Sequence, residues 1–437
     1  MKRCLSILDV MFIAIGHMIG AGIYVLTGSV VRKQAGPAII LSFVFSGFAA
    51  LMSAFSYAEF GASTKFEVLV FVIICGFTYA DFSLWSGYYS DGRLKFFPYG
   101  LQGVISGSST CFFAFIGFEA LATAGEETKN PQRTIPLATF SSLGIICVLY
   151  VLMGASLTLM VPYDQIDVDA AFAAAFELKG ANVAKIIMSI GALAGMLNNL
   201  VTGSFALPRA VYAMADDGLI FGWFGVINSR TKTPINATIA FTTLNAILAL
   251  VFDLEALVDF MSIGTLLAYS TVSVCVIIVR YHPQLIDENG VEYDNGGSLK
   301  SWVPFSKFWQ KFANDFSIRC AICGLLFGYV CLALPFKTNT VSSCEGIVLL
   351  IVGSLISMFS FIFIIGHEQN KSSSTYKVPF VPYLPCLGLL INVFMMIYLN
   401  FMTWVRLLVW LAIGIMIYLC YGIRHSKEAK THGREVH

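Results

Sequence analysis

The sequence predicts an all-α polytopic membrane protein. Three observations lead there. Of the 437 residues, 57% are hydrophobic and only 12% charged, with a mean hydropathy of +0.77, whereas soluble domains carry about a quarter charged residues. Apolar runs of about 20 residues, the length that spans a bilayer core of about 30 Å, recur along the chain. The segments between them are mostly short and polar. This composition excludes a water-soluble enzyme. The charge balance, 27 Lys+Arg against 26 Asp+Glu for a net +1, gives no basic stripe for nucleic acid.

The long apolar runs are residues 7–26, 37–57, 104–124, 137–161, 184–206, 235–254, 256–280, 318–334, 346–365, 382–401 and 407–423. A further run, 68–80, is apolar but short. The start Met1-Lys2-Arg3 before an apolar stretch mimics a signal peptide. Asp9, His17 and a run of glycines interrupt it, and no small-x-small cleavage site closes it, so it reads as a retained first helix. Charge asymmetry tests the short run. If 68–80 crosses and the N-terminus is cytoplasmic, Lys65, Lys129, Arg133, Arg230, Lys232, the tract 300–319, Lys371, Lys377 and the tail lie inside. Only eight of the 27 cationic residues then lie outside: Arg32, Lys33, Arg93, Lys95, Lys179, Lys185, Lys337 and Arg406. That is the positive-inside pattern, and it predicts about 12 transmembrane helices with both termini cytoplasmic. The sequons at Asn236 and Asn370 fall on the cytoplasmic side and are expected to carry no glycan.

The longest polar connection, 281–317, is expected to be a cytoplasmic loop. Its segment 302–312 (WVPFSKFWQKF) suits an interfacial helix or a plain loop. The polar tail 424–437 is expected to be disordered. Eleven cysteines, mostly inside apolar runs, argue against a secreted disulfide framework. Cys320 and Cys323 form a CxxC without a second pair, so no metal is expected there. No cofactor is expected either.

Helices in lipid satisfy their own backbone, so an interruption within one needs a reason. The first run contains Gly16-His17-Met18-Ile19-Gly20-Ala21-Gly22-Ile23. Gly16 and Gly20 fit close small-xxx-small packing. A third glycine at Gly22 points instead to local unwinding, which frees backbone N–H groups to hold a carboxylate. The run 104–124 repeats the theme with Phe113-Ala114-Phe115-Ile116-Gly117-Phe118-Glu119. A carboxylate deep in the bilayer costs about 2.5–3.5 kcal/mol, so Glu119 is expected to face a polar cavity or a partner. It would either bond freed backbone donors or contact substrate. The two aromatics beside this break fit a lid over a small ligand or ordinary core packing.

Asn198, Asn199 and Thr202 lie inside a span and would line a pathway or bond between helices. His17 is either a pH sensor or a hydrogen-bonded bundle residue. Glu59, at the cytoplasmic end of the second run, is either a gate contact or an interfacial charge. Asp216-Asp217-Gly218 resembles a capping turn. The sequence has no nucleotide loop, His-Glu-x-x-His pair or nucleophile elbow, so it is not read as an enzyme.

These stretches resemble the cationic amino acid transporter family of the amino acid–polyamine–organocation superfamily. The resemblance is carried by RCLSILD, GAGIYVLTG, AGPAI, YAEFGA, CFFAFIGFEALATAGEETKNPQRTIP, LPRAVYAMADDGL, TKTPINAT, LVDFMSIGTLLAYS, VPFVPYLP and TWVRLLVW, in order along nearly the whole chain. It implies a LeuT-like fold of two inverted five-helix repeats plus four further helices, with the first helix of each repeat broken at the substrate. On that pattern Gly20, Ala21, Gly22 and Ile23 hold the substrate carboxylate and amino group. Phe113 is an aromatic gate, with Ala114, Ile116 and Gly117 along the second break, and Thr202 and Gly203 face the substrate. The implied activity is sodium-independent transport of arginine, lysine and ornithine, at the plasma membrane.

The chain departs from that pattern. Two helices of the first repeat are missing between Gly61 and Phe66, which leaves the substrate cavity short of a wall, and His17 replaces a small hydroxyl residue. The domain reading is therefore a transporter core over 1–280, with a truncated first repeat 1–103 and a second repeat 104–280. The loop 281–317, four additional helices over 318–423 and the tail 424–437 follow. Two functional readings are open: a potential-driven carrier, or a truncated non-transporting product that associates with full-length transporters.

Overall fold

The computed structural model describes residues 11, 15, 18–20, 22–57, 67–89, 92–117, 131–228, 233–281, 299–300, 315–369 and 378–427. Within its helices the side chains of 53–57, 67–68, 131–132, 198–199, 201–206, 209 and 315–316 lie outside the description. Among the described residues the only strand-like features are two isolated bridges, Tyr88–Leu94 and Leu299–His367. Among the described residues six helical stretches are long and apolar enough to cross a membrane, and three shorter apolar helices accompany them. The protein is an all-helical polytopic membrane protein.

The chain divides into two compact units, Met1–Ser189 with Thr265–Leu399, and Ile190–Gly264 with Asn400–His437. The first unit opens with α1 over 22–35, π-helical at Gly22–Leu26, α-helical at Thr27–Val30 and π-helical again at Val31–Ala35. It runs nine residues past the expected end at 26, because the chain first turns at Gly36. There φ is 59°, which glycine adopts without steric cost, and a Cβ would strike the ring of Pro98. Arg32 and Lys33 are consequently helical, and their side chains are exposed.

Helix α2 (Ile39–Tyr57) packs against α4 (Gly100–Cys111) and α5 (Pro131–Met160). Lipid removes the hydrophobic drive between helices, so close approach and interhelical hydrogen bonds must do the work. Ser42 Oγ donates to the Val104 carbonyl at 3.0 Å, and Ser46 Oγ to that of Ser108 at 2.7 Å. Gly47 lies against Cys147, and Gly154 against Ile39 and Phe43. The short run at 68–80 forms α3 (Glu67–Phe77), 11 residues packed on α5 with Gly76 against Ser156. At about 1.5 Å per residue these span roughly half of a bilayer core.

Beyond α6 (Ala171–Leu178), the helices α7 (Asn182–Asp216) and α9 (Leu254–Tyr281) each pass from one unit into the other. The first unit closes with α10 (Asp315–Lys337), α11 (Cys344–Ile365) and α12 (Tyr383–Tyr398). Helices α10 and α11 form a hairpin sealed by small residues. A Cβ on Gly328 would run into Ser357 Oγ, and one on Gly353 would lie 2.9 Å from the Gly328 carbonyl oxygen. Helix α12 lies on α2, α4 and α10, with Ser109 Oγ donating to the Met395 carbonyl at 2.9 Å. Cys320 and Cys323 are free and exposed on α10.

In the second unit α8 (Ile235–Val251) precedes the start of α9, and α13 (Phe401–Ile417) begins six residues before the expected 407. Asn400 caps it, its side chain accepting from the Met402 amide, so the helix starts where a cap is available. The Arg406 guanidinium lies 5.3 Å from the centre of the Phe252 ring. The expected disorder of the tail does not hold for its first residues. Helical structure continues to His425, and Lys427 pairs with Asp216 at 2.6 Å. Gly218, φ 79°, permits that approach, because a Cβ would strike the His425 carbonyl. The segment 302–312, the sequon at Asn370 and the junction between Gly61 and Phe66 lie outside the described residues.

Candidate functional site

Both expected interruptions are present, and they touch. In the first, helical bonding reaches Ile19, whose amide donates to Ile15 at 3.1 Å. The backbone bends at Ile19 and Gly20 and resumes as a π-helical turn at Gly22, bridged by a long Tyr24-to-Gly20 bond of 3.4 Å. The second begins where α4 tightens into a 3₁₀ turn at Phe112–Phe115. Ile116 is then extended, with ψ 132°, and Gly117 has φ 134°. A β-carbon at Gly22 would collide with the Ala114 backbone and come within 2.7 Å of the Ala114 Cβ. The glycine is therefore required by contact.

Gly20, Gly22 and Ile23 are buried at one interruption, and Ala114 and Gly117 at the other. Phe113 and Ile116 are half-buried there. The three described aromatics of the second break separate by role. Phe112 is buried edge-on against Tyr269 and Phe115 against Tyr150, so both are core. Phe113 alone of the three keeps partial exposure. His17, Ala21, Glu59 and Glu119 lie outside the described residues. Thr202 and Gly203 are helical residues of α7 in the second unit, and their side chains lie outside the description.

Tyr150 escaped the sequence reading. It stands in the run IICVLYVLMG of α5, where its only signal was a hydroxyl among aliphatic residues. Its ring is fully buried between Phe43 and Phe115, at centroid distances of 5.6 and 5.2 Å. Its Oη donates to the Met18 carbonyl at 2.8 Å and lies 3.1 Å from the Ala114 carbonyl oxygen. Those two carbonyls belong one to each interruption.

The two breaks have the backbone chemistry that suits opposite charges. A helix that starts afresh exposes N–H groups without intrahelical partners, which favour a carboxylate, and an interrupted one exposes carbonyls, which favour an ammonium. Among the described residues no cluster of His, Cys, Asp and Glu could hold a metal ion.

Residues 62–289 match the family described as amino acid permease, and residues 376–426 the family described as "C-terminus of AA_permease". The chain is 30% identical over 571 aligned positions to cationic amino acid transporter 4 of Mus musculus, covering 98% of this chain and 88% of the relative. The Homo sapiens protein of the same name gives the same figures. A cationic amino acid transporter of Arabidopsis thaliana described as vacuolar is 29% identical over 563 positions, covering 98% of this chain and 92% of the relative.

Proposed function

The chain belongs to the cationic amino acid transporter family of the amino acid–polyamine–organocation superfamily, and from that premise we propose that it moves cationic amino acids by alternating access, driven by membrane potential and without sodium. Amino acid transport across a membrane follows from the family, and the protein is a transporter and not an enzyme. The substrate class, the driving force and the site residues are our reading. The observation that carries it is the contact between the two interrupted helices at Gly22 and Ala114.

In this reading the amides of Gly20, Ala21, Gly22 and Ile23 take the substrate carboxylate, and carbonyls of both breaks take its ammonium group. Phe113, with Ala114, Ile116 and Gly117, closes over the substrate. Glu119 is read as a substrate contact, the family pattern adds Thr202 and Gly203, and Glu59 and His17 serve as gating or structural charges. One positive charge gains about 2.3 kcal/mol per 100 mV. At roughly −60 mV that is about 1.4 kcal/mol, or about tenfold accumulation without ion coupling. We place the protein in the plasma membrane, with both termini cytoplasmic.

The test is arginine uptake into proteoliposomes under an imposed potassium diffusion potential. Uptake should rise with inside-negative potential and persist without sodium. Uptake that ignores the potential rejects the electrogenic mechanism.

A second reading has its own observation. The alignment with the mouse relative runs over 571 positions although the chain has 437 residues, so the relative carries segments without a counterpart here. A shortened chain of this kind could act by associating with full-length transporters. Co-purification with one, together with zero uptake alone, would favour it, and robust uptake by the purified chain would end it.

A further inference from the structure

We propose that Tyr150 is the positioning residue that ties the two interrupted segments into one recognition element. This rests on the function proposed above. In an unbroken α-helix the Met18 carbonyl would accept from the Gly22 amide, and the Ala114 carbonyl from that of Phe118. Interrupting both helices at the same place brings the two carbonyls together inside the protein, where an unmet acceptor is costly. The Tyr150 hydroxyl stands 2.8 Å from one and 3.1 Å from the other. Its single hydrogen serves both in a three-centre bond.

The hydroxyl cannot swing away without moving the ring. Phe43 of α2 and Phe115 of the second break hold that ring on two sides, and the residue is fully buried. On the backbone side, Gly22 and Ala114 are already in contact. One side chain of α5 therefore fixes the spacing of two segments that lie far apart in sequence. That spacing is what a substrate held by amides of the first break and carbonyls of both must read. Tyr150 touches no substrate in this scheme. It sets the distance between the groups that do.

Tyr150→Phe keeps the ring and removes only the hydroxyl. The latch predicts that KM for arginine rises about tenfold, the scale of losing a hydrogen bond at a buried group, while the maximal rate per folded molecule stays near wild type. Phe43→Leu loosens the same ring but keeps the hydroxyl, and should lower the yield of folded protein with a smaller rise in KM than Tyr150→Phe. An unchanged KM in Tyr150→Phe, or an equal rise in Phe43→Leu, overturns the proposal.

Hydrogen exchange supplies a readout independent of transport. Peptides covering 18–26 and 112–117 should lose protection together in Tyr150→Phe, and loss in one alone overturns the latch. Should that variant be absent from the membrane, the wild-type chain on warming decides: the two peptides must open together, and separate opening overturns it. A wild-type chain that takes up no amino acid sinks the proposed function instead, and leaves the exchange result to judge Tyr150.

Discussion

Gly22 shows how one hydrogen atom in place of a side chain decides a site. A methyl there would overlap the Ala114 backbone, and overpacking of this kind costs about 1–3 kcal/mol. Gly22→Ala should therefore weaken arginine binding by about tenfold or more, read by ligand titration of the purified protein against its melting temperature. The aromatics of the second break divide in the same terms. Phe115 is fully buried, so Phe115→Ala should cost about 3–5 kcal/mol of stability. Phe113 is half-buried, so Phe113→Ala should cost less stability and more transport. A comparison of uptake per folded molecule with melting temperature separates the two. The sequence marked both phenylalanines as neighbours of a break. It could not tell lid from core, because the two sit two positions apart in a 3₁₀ turn and only the packed neighbours differ.

At the scale of elements, small residues do the work that a hydrophobic stripe does in water. The α10–α11 hairpin closes through Gly328 and Gly353, with the Ser357 amide 2.9 Å from the position a Gly328 Cβ would take. Gly328→Leu should force the hairpin apart, at about 1–3 kcal/mol, visible as a lower midpoint in detergent-induced unfolding. At the end of α11 the fold carries a titratable group. His367 is buried, its Nδ1 is 2.8 Å from the Phe363 carbonyl, and its Nε2 has no partner among the described residues. A carbonyl only accepts, so Nδ1 carries the proton and Nε2 is bare. Burial, with the Lys300 ammonium adding to it, holds this imidazole below its ordinary value of about 6.5 against the opposing Phe363 hydrogen bond. The unfolded chain then takes a proton before the folded one does, so stability falls as pH drops below about 6.5. His367→Gln should flatten that part of the melting curve measured against pH. Lys300 is bound to the same place by its amide to Gly366 and by Nζ to Ile365, both at 2.8 Å, and protonating His367 would set a second cation beside it.

For the whole molecule, the two breaks meet each other, and the helices that follow them, α2 and α5, also pack together. An even number of crossings, as the charge asymmetry predicts, puts both ends of the chain on one face. Epitope tags at each terminus should both be reached from the same face of the membrane, and tags on opposite faces would refute the count of 12. The 11 residues of α3, the first described helix after the junction between Gly61 and Phe66, are the feature most in need of that measurement.

Composition and run length alone determined that this chain lives in lipid, is helical, and breaks two of its helices at glycine-rich stretches, because hydropathy and backbone satisfaction are properties of local sequence. The long motifs pointed to the family by themselves. Where helices stop was less legible: α1 runs on to Ala35 and α13 begins at Phe401, set by Gly36 and by the Asn400 cap rather than by hydropathy. Only the tertiary structure decided that the breaks touch at Gly22 and Ala114, that Phe115 is core, and that Tyr150 reaches a carbonyl of each. Those are contacts between segments separated by some 36 to 132 residues, and no periodicity along one helix encodes which face of another it will meet.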